Sequence, residues 1–209
     1  MKRSCLNLKS TVLGALLSIA PLMQAGAAVI HNDNPDLSND PANPTALGTL
    51  ALGSNTIVNG FVAWPDDERD YLTFTIAPGQ QLSGIFVLDY DDLDTSAAAD
   101  GDTGFTAIGS GPTSAIPSFA TASQFLWGGH VSGADVGTNL LAKVGDLGTG
   151  PIAFLGPGVY SFLIQQTGDE WTGYSLDFVV TASPVPLPAA LPLLGSASLL
   201  LGFWSRRRG

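Results

Sequence analysis

Tyr71-Leu72-Thr73-Phe74-Thr75-Ile76-Ala77-Pro78-Gly79-Gln80 is the stretch that decides the fold class. Leu72, Phe74 and Ile76 alternate with Tyr71, Thr73 and Thr75, the two-residue period of a strand with one face inward. β-branched and aromatic residues dominate it, as a pleated surface requires. Ala77-Pro78-Gly79-Gln80 then predicts a turn, because Pro presets φ and Gly supplies a positive φ. Gln81 to Asp89 reads as a second strand through Leu82, Ile85, Phe86, Val87 and Leu88.

The same grammar extends in both directions. Upstream, residues 31–45 are rich in Asn, Asp and Pro and read as an extended, irregular lead-in. Strand signals follow at Leu47 to Leu52 and Asn55 to Val62, and Trp64 to Asp70 reads as a charged loop. Downstream, short apolar runs stand at Phe105 to Ile108, Phe125 to Trp127 and Leu140-Leu141. Gly156-Pro157-Gly158 is a turn. Val159 to Gln166 then reads as a strand with Tyr160, Phe162 and Ile164 on one face. Tyr174 to Thr181 is another, with Tyr174, Leu176, Phe178 and Val180 inward. No stretch from Ala28 to Ser183 pairs a 3.6-residue period with caps. Many short strands between Gly/Pro turns predict an all-β chain, an antiparallel β-sandwich of jelly-roll-like type.

Both ends of the chain read as addresses. Lys2, Arg3 and Lys9 precede an apolar run from Val12 to Leu22, and Ala25-Gly26-Ala27 is a small-x-small cleavage site. This predicts a secretory signal peptide over residues 1–27, with Ala25 and Ala27 as the cleavage determinants. At the other end, Val185-Pro186-Leu187-Pro188 opens an apolar run of 18 residues, Leu187 to Trp204, closed by Arg206, Arg207 and Arg208. That length reaches the lower end of what a single transmembrane helix needs. The arginines mark the side that stays cytoplasmic. The working part is therefore a lead-in at 28–45 and a domain at 46–183, with the tail at 184–209.

Composition narrows the partners. Cys5, the lone cysteine, lies in the leader, so the exported part has no disulfide, thiol catalyst or cysteine metal site. Between leader and tail stand all 18 acidic residues but only two basic ones, Arg69 and Lys143, a net charge of about −16. Such a chain does not suit nucleic acid, whose binding rests on Lys and Arg. Its counterions are cations, Ca²⁺ among them.

Motif, apolar run and arginine cluster together resemble the PEP-CTERM sorting signal of Gram-negative bacteria. The resemblance implies export through the Sec translocon and a transient C-terminal anchor in the inner membrane. It further implies cutting by an exosortase and delivery to the cell surface or an exopolysaccharide-rich extracellular matrix. Leu187 stands where that signal usually has Glu, which leaves the exosortase subtype open. A plain C-terminal anchor is the competing reading.

A second resemblance lies in the domain. Asp70 to Leu82, and Gly156 to Phe162 with Gly173 to Phe178, are similar to the signature strand and closing hairpin of bacterial pre-peptidase C-terminal (PPC-like) domains. Those are small jelly-roll modules of secreted proteins. The resemblance implies a non-catalytic role in surface or substrate binding, sometimes with Ca²⁺.

Three sets of residues are candidates for chemistry. Asp89, Asp91, Asp92 and Asp94, with Asp100 and Asp102 beyond, place carboxylates at alternate positions, which suits one hard cation such as Ca²⁺ or, equally, a solvated acidic loop. The spacing is not that of an EF-hand. Asp33, Asp36 and Asp40 form a thinner set, and Asp66, Asp67, Glu68 and Asp70 around Arg69 read as a local ion pair. Trp64, Trp127 and Trp171 fall in or beside loops, either as stacking platforms for a sugar or as caps on the core. His130 is the one histidine placed to serve a hydrolase, but no Gly-x-Ser-x-Gly turn accompanies it. The leading expectation is a non-catalytic surface or matrix protein associated with exopolysaccharide or biofilm. The alternatives are a carbohydrate-binding or adhesive module with a discrete sugar site, and a secreted hydrolase.

Overall fold

The computed structural model describes residues 27–32, 35–63, 69–92, 104–112, 125–146, 150–166 and 171–184. Nine strands run in chain order: β1 (Ala28–Asn32), β2 (Thr45–Thr49), β3 (Gly53–Ala63), β4 (Arg69–Ile76), β5 (Gln80–Asp92), β6 (Gly104–Ser110), β7 (Trp127–Val131), β8 (Gly158–Gln166) and β9 (Trp171–Ala182). Two short 3-10 turns, Gly133–Asp135 and Leu140–Ala142, are the only helical elements among the described residues. No helix there is long and apolar enough to cross a membrane.

The strands form a four-stranded sheet, β1-β3-β9-β5, and a five-stranded sheet, β2-β4-β8-β6-β7. Both are mixed. β1 runs parallel to β3 and β2 parallel to β4, whereas every other pairing is antiparallel. This corrects the purely antiparallel expectation. One parallel pair comes from the lead-in, which is not simply irregular: it supplies β1, and Ser38 bridges Tyr71.

The Pro78-Gly79 turn carries the chain from one sheet to the other, since β4 and β5 lie in different sheets. The expected closing hairpin also opens out in this way, with β8 in the five-stranded sheet and β9 in the four-stranded one. Gly79, at φ 77°, supplies the left-handed conformation the turn needs.

The inward faces follow the alternation. Leu72, Phe74 and Ile76 on β4, and Leu176, Phe178 and Val180 on β9, are all buried in one core with Phe162, Trp127 and Leu140. Phe178 lies edge-on to Phe74 and to Phe162, with ring centroids 5.3 and 5.5 Å away, so rings from the two sheets interlock. The outer face of the five-stranded sheet also buries residues. Tyr71, Ala107 and Leu163 form a second cluster packed by Phe105 and Phe125.

Sheet edges invite pairing with other chains and are normally blunted. Residues 137–139 and Leu155 do this for β5. Gly137 donates to Val87 O, Leu155 and Leu82 exchange two main-chain bonds, and Asn139 uses its side chain on Ile85 N and Ser83 O.

Candidate functional site

Strand directions bring the described flanks of three acidic segments to one end. β3 ends and β4 begins there, as β5 ends and β6 begins, and as β8 ends and β9 begins. The three intervening segments, 64–68, 93–103 and 167–170, lie outside the described residues. With Asp91 and Asp92 they carry ten acidic side chains, Asp66, Asp67, Glu68, Asp94, Asp100, Asp102, Asp169 and Glu170 being the other eight.

A buried polar layer closes this end of the sandwich. The Tyr174 hydroxyl on β9 donates to Asp70 Oδ2 on β4 at 2.5 Å, and both residues are buried. Gly104 N–H at the start of β6 donates to the Tyr90 hydroxyl on β5. Thr172 donates to Gln166 Oε1 at 2.9 Å. All three bonds run from one sheet to the other. Asp70 was expected in an exposed ion-paired loop. Instead it is fully buried, because the strand begins at Arg69 and turns Asp70 inward.

Asp89 and Asp91 do not lie in a loop. β5 runs on to Asp92, so these two carboxylates sit two residues apart on a strand, exposed, opposite Ser175 and Gly173. Two residues along a strand span roughly 6.6 Å, close enough for both to reach one cation. Of Asp92 only the backbone is described, and Asp94, Asp100 and Asp102 lie outside the described residues. Among the described residues no three His, Cys, Asp or Glu side chains gather as a metal site.

Trp127 is not a sugar platform. Its ring is fully buried in the core and its Nε1–H donates to Lys143 O at 3.1 Å. The apolar neighbours of β7 claim it, as they claim most indoles near a strand start. Trp171 opens β9 opposite Ala63, with only its backbone described, and Trp64 lies outside the described residues. So do Ala25 and the sorting residues Val185, Pro186, Leu187, Pro188, Arg206, Arg207 and Arg208. Ala27 is exposed just before β1.

His130 sits on β7, an edge strand. Asp146 Oδ2 accepts from its main-chain N–H at 2.7 Å and lies 2.6 Å from ring Nδ1. Lys143 Nζ donates to His130 O at 2.9 Å and pairs with Asp135 at 2.7 Å. Partial burial raises the Asp146 pKa. The bonds from His130 and the nearby His130 and Lys143 charges outweigh that and bring the carboxyl below its ordinary value. The cluster satisfies the outward main-chain groups of an edge residue, and it also orients an imidazole. His31, on β1, has its pKa lowered by burial, partly offset by Asp36.

No family model, no curated protein and no solved structure matches this chain.

Proposed function

We propose that this protein is a non-catalytic exported domain of the cell surface or extracellular matrix, sorted by an exosortase and associated with exopolysaccharide. The observation that supports this reading is that the described strands all fall between the two addressing segments. β1 begins at Ala28, immediately after the expected signal-peptide site, and among the described residues the last main-chain bond is Ser183 N–H to Gly79 O, two residues before Val185. Nine described strands occupy the interval between the two addressing segments.

The finer fold reading is a jelly roll of PPC-like character. The orders β3-β9-β5 and β4-β8-β6-β7 support such a winding, with residues 137–139 and Leu155 beside β5 where an eighth strand would lie. Ca²⁺ is the cation proposed for the acidic end, with Asp89 and Asp91 as its described ligands. Burial of Trp127 weakens the sugar-site alternative. The hydrolase alternative rests on the His130–Asp146 pair, whose carboxylate also serves the main chain of the strand edge.

The test is the triple change Arg206→Ala, Arg207→Ala, Arg208→Ala in a Gram-negative host that has an exosortase. The proposal predicts an unprocessed, membrane-retained chain, against processed surface protein for the parent. Normal surface delivery of the triple variant would overturn the sorting reading.

A further inference from the structure

β3 carries the dipeptide Asn59-Gly60, the one place in the chain where Gly follows Asn. The fold demands each of the two residues for a separate reason. The register of β3 against β9 shifts between Ile57 and Gly60, so Val58 and Asn59 together face the single residue Ser175. An extra residue of this kind bulges the strand, and one bulge type places it in the left-handed region. Asn59 has φ 57°, and among the described residues it is the one non-glycine with a positive φ. Besides Gly, Asn and Asp are the residues that tolerate that region best. Gly60 is fixed from the opposite strand: a Cβ there would lie 2.2 Å from the Tyr174 ring.

The same dipeptide leaves an asparagine side chain least hindered from its neighbour's main-chain nitrogen, because Gly has no Cβ to shield it. Asn59 is exposed. Its main-chain N–H donates to the Ser175 hydroxyl at 3.3 Å, and its Nδ2 donates to Asn32 Oδ1 at 2.8 Å, a surface tie from β3 to β1. Other asparagines are held more firmly. Asn55 is fully buried, with its Nδ2 donating to the carbonyls of Ala51, Gly53 and Phe178. Asn139 Oδ1 accepts from Ile85 N and Leu141 N, and its Nδ2 donates to Ser83 O.

We propose that Asn59 is a site of spontaneous covalent modification, through a succinimide formed with Gly60. The Gly60 nitrogen bonds to Asn59 Cγ, the Cγ–Nδ2 bond breaks, and ammonia leaves with the proton of the Gly60 N–H. Water then opens the ring. Hydrolysis at Cγ restores the main chain and leaves Asp at position 59. Hydrolysis at the main-chain carbonyl leaves the chain running through Cγ, an isoaspartyl link one carbon longer. The structure separates the two products. Aspartate suits the left-handed backbone, and Asn32 can turn its amide so that NH2 faces the new carboxylate. The isoaspartyl link lengthens the bulge immediately before Gly60. That moves Gly60 from its place against the Tyr174 ring, whose hydroxyl holds Asp70.

The full chain, purified in mild detergent, would be kept warm in mildly alkaline buffer and sampled over weeks, beside a chain unfolded in denaturant. Peptide mass mapping reads each asparagine for the replacement of NH2 by OH, and isoaspartyl methyltransferase labelling reads the isomer. Position 59 should convert several-fold faster than Asn55 or Asn139, at a rate within several-fold of that in denaturant. The isolated isoaspartyl fraction should melt below an Asn59→Asp chain. Conversion at 59 no faster than at 139, or orders of magnitude slower in the folded chain than in denaturant, would overturn the site. Equal melting of the isoaspartyl and Asn59→Asp chains would overturn its coupling to Tyr174.

Discussion

The two ends of the molecule are closed by different chemistry. At the acidic end, sheet is tied to sheet by hydroxyls: Tyr174 to Asp70, and Tyr90 to the Gly104 main chain. Toward the opposite end, where the Ala77–Gly79 turn crosses between the sheets, the tie is aromatic. Phe74 stacks on Tyr160 at 5.7 Å and meets Phe178 at 5.3 Å. A ring cluster is non-directional and tolerates small shifts. A buried carboxylate tolerates none, because its desolvation cost is met only by well-placed hydrogen bonds. The end where β4 and β9 begin therefore has a rigid, chemically specific floor, and the opposite end a packed one.

The largest effect should come from the ring cluster that joins the sheets. Phe178→Ala removes a side chain touching rings of both strands opposite, and should cost about 3–5 kcal/mol in denaturant unfolding. A loss below about 1 kcal/mol would mean the interior collapses onto the gap and the ring lock is not what holds this end. Tyr174→Phe tests the other floor. It keeps the ring and removes one bond to a buried carboxylate, so about 1.5–3 kcal/mol is expected. A cost equal to that of Phe178→Ala would make the polar floor the stronger of the two. Gly60 sharpens the same point: a Cβ there would lie 2.2 Å from the Tyr174 ring, so Gly60 is what lets that tyrosine reach across.

Smaller effects belong to the flanks. Asp146→Asn loosens the strap on β7 and should cost under about 1 kcal/mol, because both partners are half exposed. The folded Asp146 pKa lies below its unfolded value, so its contribution is complete above the ordinary carboxyl range and is lost as pH falls through the lowered pKa. The melting-temperature gap between parent and variant should thus be present at pH 6 and close in strong acid. A gap that widens on acidification would contradict that sign. Smallest is the effect of Ca²⁺: a millimolar addition should raise the melting temperature saturably, and Mg²⁺ much less. An equal rise from any salt would reduce Asp89 and Asp91 to a solvated surface.

Much of the framework was legible because alternation is a local signal. Leu72, Phe74 and Ile76 pointed inward from the sequence, as did Leu176, Phe178 and Val180. Sheet membership was not legible, since a Pro-Gly turn that crosses between sheets is written like one that closes a hairpin. Burial of Tyr71 and Leu163 on the opposite face escaped the pattern as well: a second cluster covers that face, and alternation does not report what lies above a sheet. Asp70 was misplaced for a related reason. Its neighbours are loop-like acids, and only Tyr174, 104 residues away, reveals that it turns inward. Trp127 had loop-like neighbours too, but its strand partner Ile108 and the Lys143 carbonyl draw it into the core. His130 was visible, whereas Asp146 and Lys143, which hold it, were not.

The most direct test of the central claim is the intact mass of the protein recovered from the cell surface. An exported domain bounded by two processing segments predicts a chain that begins at Ala28 and ends near Pro186, whatever is then attached to it. A surface-exposed chain still carrying Leu187 to Gly209 would contradict it.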